Sequence, residues 1–301
     1  MIDVQVVAYN DEEQIRACLE SVANEPSVAS ITVVDHLANL PPTLNGIEAA
    51  IIADRTNPGF GAGQNCATEK GEADLILLLN PDAHMVPGAL EAGSLALLGA
   101  ANVAAVQGLV TGSTTGAAER SHGRELGPAH LWGRALGLSG LLRIPLARSV
   151  GRRTFLRDHV DRKVAAPVLV ESLAATAVLI RRSALEEVGG FDERYFLYGE
   201  DLDLCRRLRS AGWLLMAIPV PWAIHVSGGS AESWVSRERH WWAGTLQFAA
   251  KWWSSPRYGL ALGAAACRAA TLGRRSGAGL RIEWSMMSAR ARDVRRTTAV
   301  S

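Results

Sequence analysis

Residues 3–80 switch repeatedly between two hydrophobic rhythms. "DVQVVAY" (3–9) is a short continuous apolar run of the kind a buried strand requires. "DEEQIRACLESVAN" (11–24) then places Ile15, Cys18, Leu19 and Val22 on one helical face, and "SITVVD" (30–35) returns to strand, completing a βαβ unit. "AAIIAD" (49–54) and "ADLILLLN" (73–80) are further strands, separated by "GFGAGQNCATEKG", a Gly-rich turn that runs into a helix. The fold class is therefore α/β, a mostly parallel central sheet flanked by helices. Such a sheet opens its ligand site at the carboxyl ends of its strands, where Tyr9, Asp35 and the Asn80–Pro81–Asp82 turn all fall.

From about 112 to 166 the rhythm weakens into Gly- and Arg-rich sequence without a clean period, which reads as a mobile excursion from the sheet. Order resumes with the strand "AATAVLI", the helix "RSALEEV", a Gly189–Gly190 stop, an aromatic loop and a helix opening at Glu200–Asp201. After the strand-like "LMAIPVPWAIH", Trp242, Leu246, Ala249 and Trp253 follow spacings of 4, 3 and 4, as an amphipathic helix requires. The expected division is a sheet-built domain over 1–230 and a helical, basic extension over 231–301.

With 301 residues, 48% hydrophobic and 20% charged, the chain has a globular composition. Cys18, Cys66, Cys205 and Cys267 form no C-x-x-C pair, which speaks against a disulfide framework or a zinc site and fits a reducing cytoplasm. The N-terminus lacks a basic segment, so no secretory signal is expected, and no apolar run approaches the roughly 20 residues that span a bilayer. The net charge of +1 hides an asymmetry. Residues 251–301 hold ten Lys/Arg against Glu283 and Asp293, while the first 250 hold 21 basic and 28 acidic side chains. Seven of the nine tryptophans lie just before that basic tail, between 213 and 253. Tryptophans beside arginines suit an anionic membrane surface at the inner face of the cell membrane, and equally suit packing onto the sheet domain. No base-reading motif accompanies the charge, so nucleic acid is not an expected partner.

Three constellations carry chemistry. Asn80 and Asp82, two apart at a strand's carboxyl end, let oxygen ligands converge on a divalent cation and its phosphate partner, and His225 ends another strand pointing to the same edge. In "FDERYFLYGED", aromatic surroundings favour basicity in Glu200 and Asp201, whereas Asp203 reads as a charge compensating the helix dipole. In "NPGFGAGQN" (57–65), Asn57, Gly59 and Gly61 allow close backbone approach to a ligand, and Gln64 and Asn65 offer amides at a helix start.

As an ordered set, "VVAYNDEEQIRACLESV", "ITVVD", "NPGFGAGQN", "LLLNPDAHMVPGAL", "AATAVLIRRSALEEVGGFDERYFLYGEDLDLCRRLRSAGW" and "PWAIHVSGGS" resemble family 2 glycosyltransferases of the GT-A fold, within them the bacterial rhamnosyltransferase-like branch. The resemblance covers about residues 2–230 and implies a Rossmann-like sheet with a nucleotide-sugar donor. It implies that Asn80–Pro81–Asp82 stands for a D-x-D motif, with Asp82 and His225 as ligands of a divalent cation, Mn2+ or Mg2+. It places Ala8, Tyr9 and Glu12 around the nucleoside and gives Asp35 the pyrimidine N3–H. Here "DHLANLPPT" replaces the usual Asp/Asn and Ser/Thr-Asp-Gly follow-on. Asp201 matches the catalytic base of an inverting single displacement. The implied donor is dTDP-L-rhamnose, with UDP-sugars including UDP-galactofuranose open, and the implied acceptor is a glycan or lipid-linked glycan. A nucleotidyltransferase would need a Gly-rich, Arg-containing loop where "AYNDEEQ" stands. An inactive glycan- or lipid-binding relative is the other rival, opposed by the intact Asp82, Asp201 and His225.

Overall fold

The computed structural model describes residues 1–9, 12–41, 44, 46–119, 121–137, 164–226, 233–277 and 279–298, with no side-chain account of 275 and 296–298. It divides into two compact units: Met1–Arg124, Arg162–Glu193 and Leu204–Ala231 in the first, and Glu125–Asp161, Arg194–Asp203 and Glu232–Ser301 in the second.

In the first unit β1 (Ile2–Ala8), α1 (Glu12–Glu20) and β2 (Val28–Asp35) realise the expected βαβ unit, followed by β3 (Ala50–Ala53), α2 (Phe60–Thr68) and β4 (Leu75–Leu79). Beyond a tight turn come β5 (Ala83–Met85), α3 (Ala89–Leu98), β6 (Val103–Gly112) and β7 (His122–Gly123). Leaving α4 (Pro128–Ala135) to the second unit, the chain continues with β8 (Val168–Val170), β9 (Ser172–Leu173), β10 (Ala177–Arg181) and α5 (Arg182–Glu187). Then follow α6 (Glu200–Ser210) and β11 (Leu214–His225). The sheet order is β3-β2-β1-β4-β10-β6-β11-β5, with β8 also on β11. Strands β3, β2, β1 and β4 are parallel, β10 is inverted between β4 and β6, and β6 and β11 are parallel again. Consequently Ala8, Asp35, Leu79, Gly112 and His225 all end at one edge.

Strand β4 shows why "LILLL" is apolar at every position. Leu77 and Leu79 face a core with Ile15, Leu19, Leu90, Leu97 and Trp222, whereas Ile76 and Leu78 face one with Ile180, Leu185, Phe191 and Leu208. A strand buried on both faces needs both alternating sets apolar.

The second unit contains α4, α7 (Trp234–Trp252), α8 (Ser255–Ser276) and α9 (Gly279–Thr298). Trp242, Leu246 and Phe248 of α7 pack with Ala261, Ala265 and Leu272 of α8 and with Met287, Ala291 and Val294 of α9. Buried Glu238 takes Arg134 and Arg268, and Glu283, also buried, takes Arg239. Much of the tryptophan cluster is therefore structural: Trp222, Trp242 and Trp253 are buried, Trp213 Nε1 donates to Glu187 and Trp252 Nε1 to Asp203. Within the expected excursion at 112–166, residues 138–163 lie outside the described residues, while β7 and α4 are regular elements. Among the described residues, no helix is long and apolar enough to cross a membrane.

Candidate active site

The turn after β4 follows from its residues. Asn80 C=O accepts the Ala83 N–H at 3.0 Å, with Pro81 presetting φ at the second turn position. The chain passes at once into β5, antiparallel to β11, with Ala83 opposite His225 and Val226 N–H donating to Asp82 C=O at 2.7 Å. This register sets the two sequence-predicted metal ligands side by side: His225 Nε2 lies 3.3 Å from Asp82 Oδ1. On the other ring edge, His225 Nδ1 lies 2.8 Å from Glu119 Oε2. Burial alone would lower the His225 pKa, but the hydrogen bond and charge of Asp82, then those of Glu119, outweigh it and push it up to about 9. Beneath the turn, Cys18 Sγ reaches Asn80 O at 3.4 Å, and its thiol pKa is raised by burial first and by Asp82 second.

A carboxylate and an imidazole suit Mn2+ or Mg2+, which take one or two protein ligands and complete their shell with phosphate and water. Among the described residues, no three or more His, Cys, Asp or Glu side chains form a group that could hold an ion by themselves. Asp82 and His225 alone would leave most positions of a divalent cation's shell to other ligands.

The residues expected around the nucleotide divide into two sorts. Ala8 is buried at the end of β1, Tyr9 just beyond it is 60% exposed, Glu12 is exposed at the start of α1, and Asn80 is half-buried at the edge. Asn57, at φ 44°, and Gly59, at φ 117°, turn the chain into α2 through backbone that favours glycine. Asp35 is 1% exposed and accepts the N–H groups of Leu37, Asn39 and Leu40, each at 2.9 Å. Three of its roughly four acceptor positions thus shape the "DHLANL" turn. The glycines of α2 serve packing: a Cβ on Gly61 would lie 2.9 Å from Phe191 Cβ, and one on Gly63 2.8 Å from Val7 Cγ2. Asn65 is a brace, accepting Phe191 N–H at 2.8 Å and donating to Phe191 O and Glu193 Oε1. Gln64 is fully buried, and among the described residues neither amide atom has a hydrogen-bond partner.

In the second unit, Glu200 and Asp201 open α6 after a loop in which Tyr198 has φ 64° and Gly199 φ 89°. That loop lies directly on the α7 backbone: a Cβ on Gly244 would fall 1.7 Å from Tyr198 O, so only glycine fits. Asp203 is no surface charge. It is fully buried, with Lys251 Nζ at 2.8 Å and Trp252 Nε1 at 2.7 Å from Oδ1. It pins the start of α6 to α7, a role hidden from sequence because α7 lies far along the chain. Glu200 is 5% exposed, and burial first, with the Asp201 charge second, pushes its pKa up to about 8. Half-buried Asp201 accepts the Leu202 N–H at 2.8 Å.

Comparison with known proteins accords with this fold. A family model described as "Glycosyltransferase like family 2" matches residues 2–244. The chain is 53% identical over 53 residues, 18% of its length, to the N-acetylglucosaminyl-diphospho-decaprenol L-rhamnosyltransferase of Mycobacterium tuberculosis (strain H37Rv). It is 40% identical over 73 residues, 24% of its length, to the rhamnosyltransferase WbbL of Escherichia coli (strain K12). The matched segments span 17% and 28% of those relatives. A crystal structure of GalNAc-T7 with UDP, GalNAc and Mn2+ is similar in fold, at TM-score 0.57 and 12% identity, covering 92% of this chain and 51% of that one. On a GT-A fold that carries its polar residues at one sheet edge, the chain belongs to glycosyltransferase family 2.

Proposed function

We propose that this chain is an inverting, metal-dependent glycosyltransferase that moves L-rhamnose from dTDP-L-rhamnose to a hydroxyl of a glycan or lipid-linked glycan in cell-envelope polysaccharide synthesis. The observation that carries the proposal is the β5/β11 register that sets Asp82 against His225 at the carboxyl edge of the sheet. Asp82 Oδ1 and His225 Nε2 would hold the cation, which when bound neutralises the departing diphosphate. Exposed Tyr9 and Glu12, with Ala8 beneath them, would line the nucleoside, and Asp35 would keep one acceptor position for the base. Asp201 takes the proton from the acceptor hydroxyl as that oxygen attacks the anomeric carbon. Burial and then the Asp201 charge push the Glu200 pKa up, which disfavours a second charge in the buried turn. The donor sugar is supported by the two rhamnosyltransferase names, and a lipid-linked acceptor by one of them.

A panel of dTDP-L-rhamnose, UDP-galactofuranose and UDP-N-acetylglucosamine, incubated with a lipid-diphosphate glycan and Mn2+, tests this through nucleoside diphosphate release and product NMR. The expected result is release from dTDP-L-rhamnose with inverted anomeric configuration. Release from a UDP-sugar alone would refute the donor, retention would refute the mechanism, and no release at all would favour the inactive binding relative.

We further propose contact with an anionic membrane surface through α9, where Leu280, Ile282 and Met286 are exposed beside exposed Arg281.

A further inference from the structure

Glu119 is a lone acidic residue in a Gly-rich stretch, and nothing in its local sequence marks it. Its position comes from the end of β6. There the chain reverses, with Gly116 N–H donating to Gly112 C=O at 2.8 Å and Gly112 N–H to Ala117 C=O at 3.0 Å. Glu119 returns alongside β6, its N–H donating to Val110 C=O at 2.9 Å. Gly112 leaves the space its carboxylate occupies, since a Cβ there would lie 3.0 Å from Glu119 Oε1. Because Gly112 pairs with His225 across β6 and β11, this reversal delivers Glu119 Oε2 to His225 Nδ1 at 2.8 Å. Asp82 Oδ1 occupies the opposite edge of the same ring, 3.3 Å from Nε2.

An ionised carboxylate can only accept, so Nδ1–H donates to Glu119 and Nε2–H faces Asp82 in the same way; a cation shared with Asp82 would displace the Nε2 proton and leave Nδ1–H on Glu119. Histidines that bind metals characteristically donate their other ring N–H to such a partner, which fixes both tautomer and ring plane. We propose that Glu119 is the positioning residue of the Asp82–His225 cation site, holding the imidazole with Nδ1 protonated and Nε2 directed to the ion. Glu119 touches neither donor nor acceptor sugar in this role.

The role rests on Asp82 and His225 holding a cation, so the test reads the two separately. Full-length wild type, Glu119→Ala, Glu119→Gln and Asp82→Ala are compared for Mn2+ affinity by electron paramagnetic resonance in the presence of dTDP. The protonated nitrogen of His225 is read from two-bond 1H–15N spectra of the Mg2+ and dTDP complex. Asp82→Ala should abolish tight Mn2+ binding. Glu119→Ala should weaken it about 10- to 100-fold, and Glu119→Gln, whose amide oxygen still accepts Nδ1–H, should restore most of the affinity. The wild-type spectrum should show the proton on Nδ1. Mn2+ affinity unchanged in Glu119→Ala but lost in Asp82→Ala would overturn the Glu119 role and leave the cation site standing. A wild type that binds no Mn2+ removes both. Should Glu119→Ala fail to fold, a wild-type spectrum with the proton on Nε2 would by itself overturn the proposal.

Discussion

The sharpest division of labour lies between two adjacent carboxylates. Burial first, and the Asp201 charge second, push the Glu200 pKa up and favour its protonated form, while Asp201 is the proposed acceptor of the incoming hydroxyl's proton. Asp201→Asn should therefore lower turnover by about 100-fold or more with donor affinity nearly intact, and Glu200→Gln should leave turnover within a few-fold. Initial rates with isothermal titration of the donor check both; the opposite ranking would exchange their roles. The same residue predicts a pH effect on stability. A Glu whose ordinary value of 4.5 rises to about 8 on folding binds its proton more tightly in the native state. Its contribution is intact below 4.5 and is lost as pH rises toward 8, by at most about 1.4 kcal/mol per pH unit. Urea unfolding at pH 4 and pH 8.5 should show Glu200→Gln level with wild type at the lower pH and more stable at the higher. Asp82, His225 and Asp201 were visible in the sequence as candidates because each is a polar residue where an apolar strand or aromatic loop stops. Glu119 was not, because its partner is set by β6–β11 pairing more than 100 residues apart. Asn65 was legible as a polar residue but not as a brace, since Phe191 lies 126 positions away in sequence.

Among the elements, α6 and α7 are joined by a buried polar anchor. Asp203 has a fully buried side chain and Lys251 a nearly buried one, 2.8 Å apart. Removing one partner of such a pair strands the other's charge, a loss on the order of 3 kcal/mol. Lys251→Met should lower stability by about that amount and slow turnover through displacement of the Glu200–Asp201 turn, as urea unfolding and initial rates would reveal. A neutral effect on both would make the anchor incidental. Strands β1, β2, β3, β4, β10 and β11 were readable in advance as apolar runs, whereas the ten-residue β6 was not, since Gln107 and Gly108 interrupt its apolar run. The two- and three-residue strands β5, β7, β8 and β9 were not, since so few residues establish no period. The inversion of β10 between β4 and β6 was equally hidden, because an apolar run looks the same in either direction.

For the molecule as a whole, charge separates along the chain, with the basic surplus confined to the last 51 residues. Helices α8 and α9 complete the core around Trp242, so deleting them would unfold what they cover, and surface substitutions are the cleaner probe. Wild type should co-sediment with anionic but not neutral vesicles in a salt-sensitive manner, and Leu280→Glu with Ile282→Glu should abolish it. Equal partitioning of both proteins would leave α9 without a membrane role. The proposed donor rests on resemblance alone, since a sheet edge with one Asp and one His suits many diphosphates. If Asp82 and His225 hold the cation that lets a nucleotide-sugar react, metal reconstitution of chelated enzyme will show it. Turnover of dTDP-L-rhamnose should vanish in excess chelator and return on adding Mn2+, and Asp82→Ala should fail to recover at any Mn2+ concentration that saturates wild type. Full turnover in excess chelator, or an Asp82→Ala enzyme restored as readily as wild type, would contradict it.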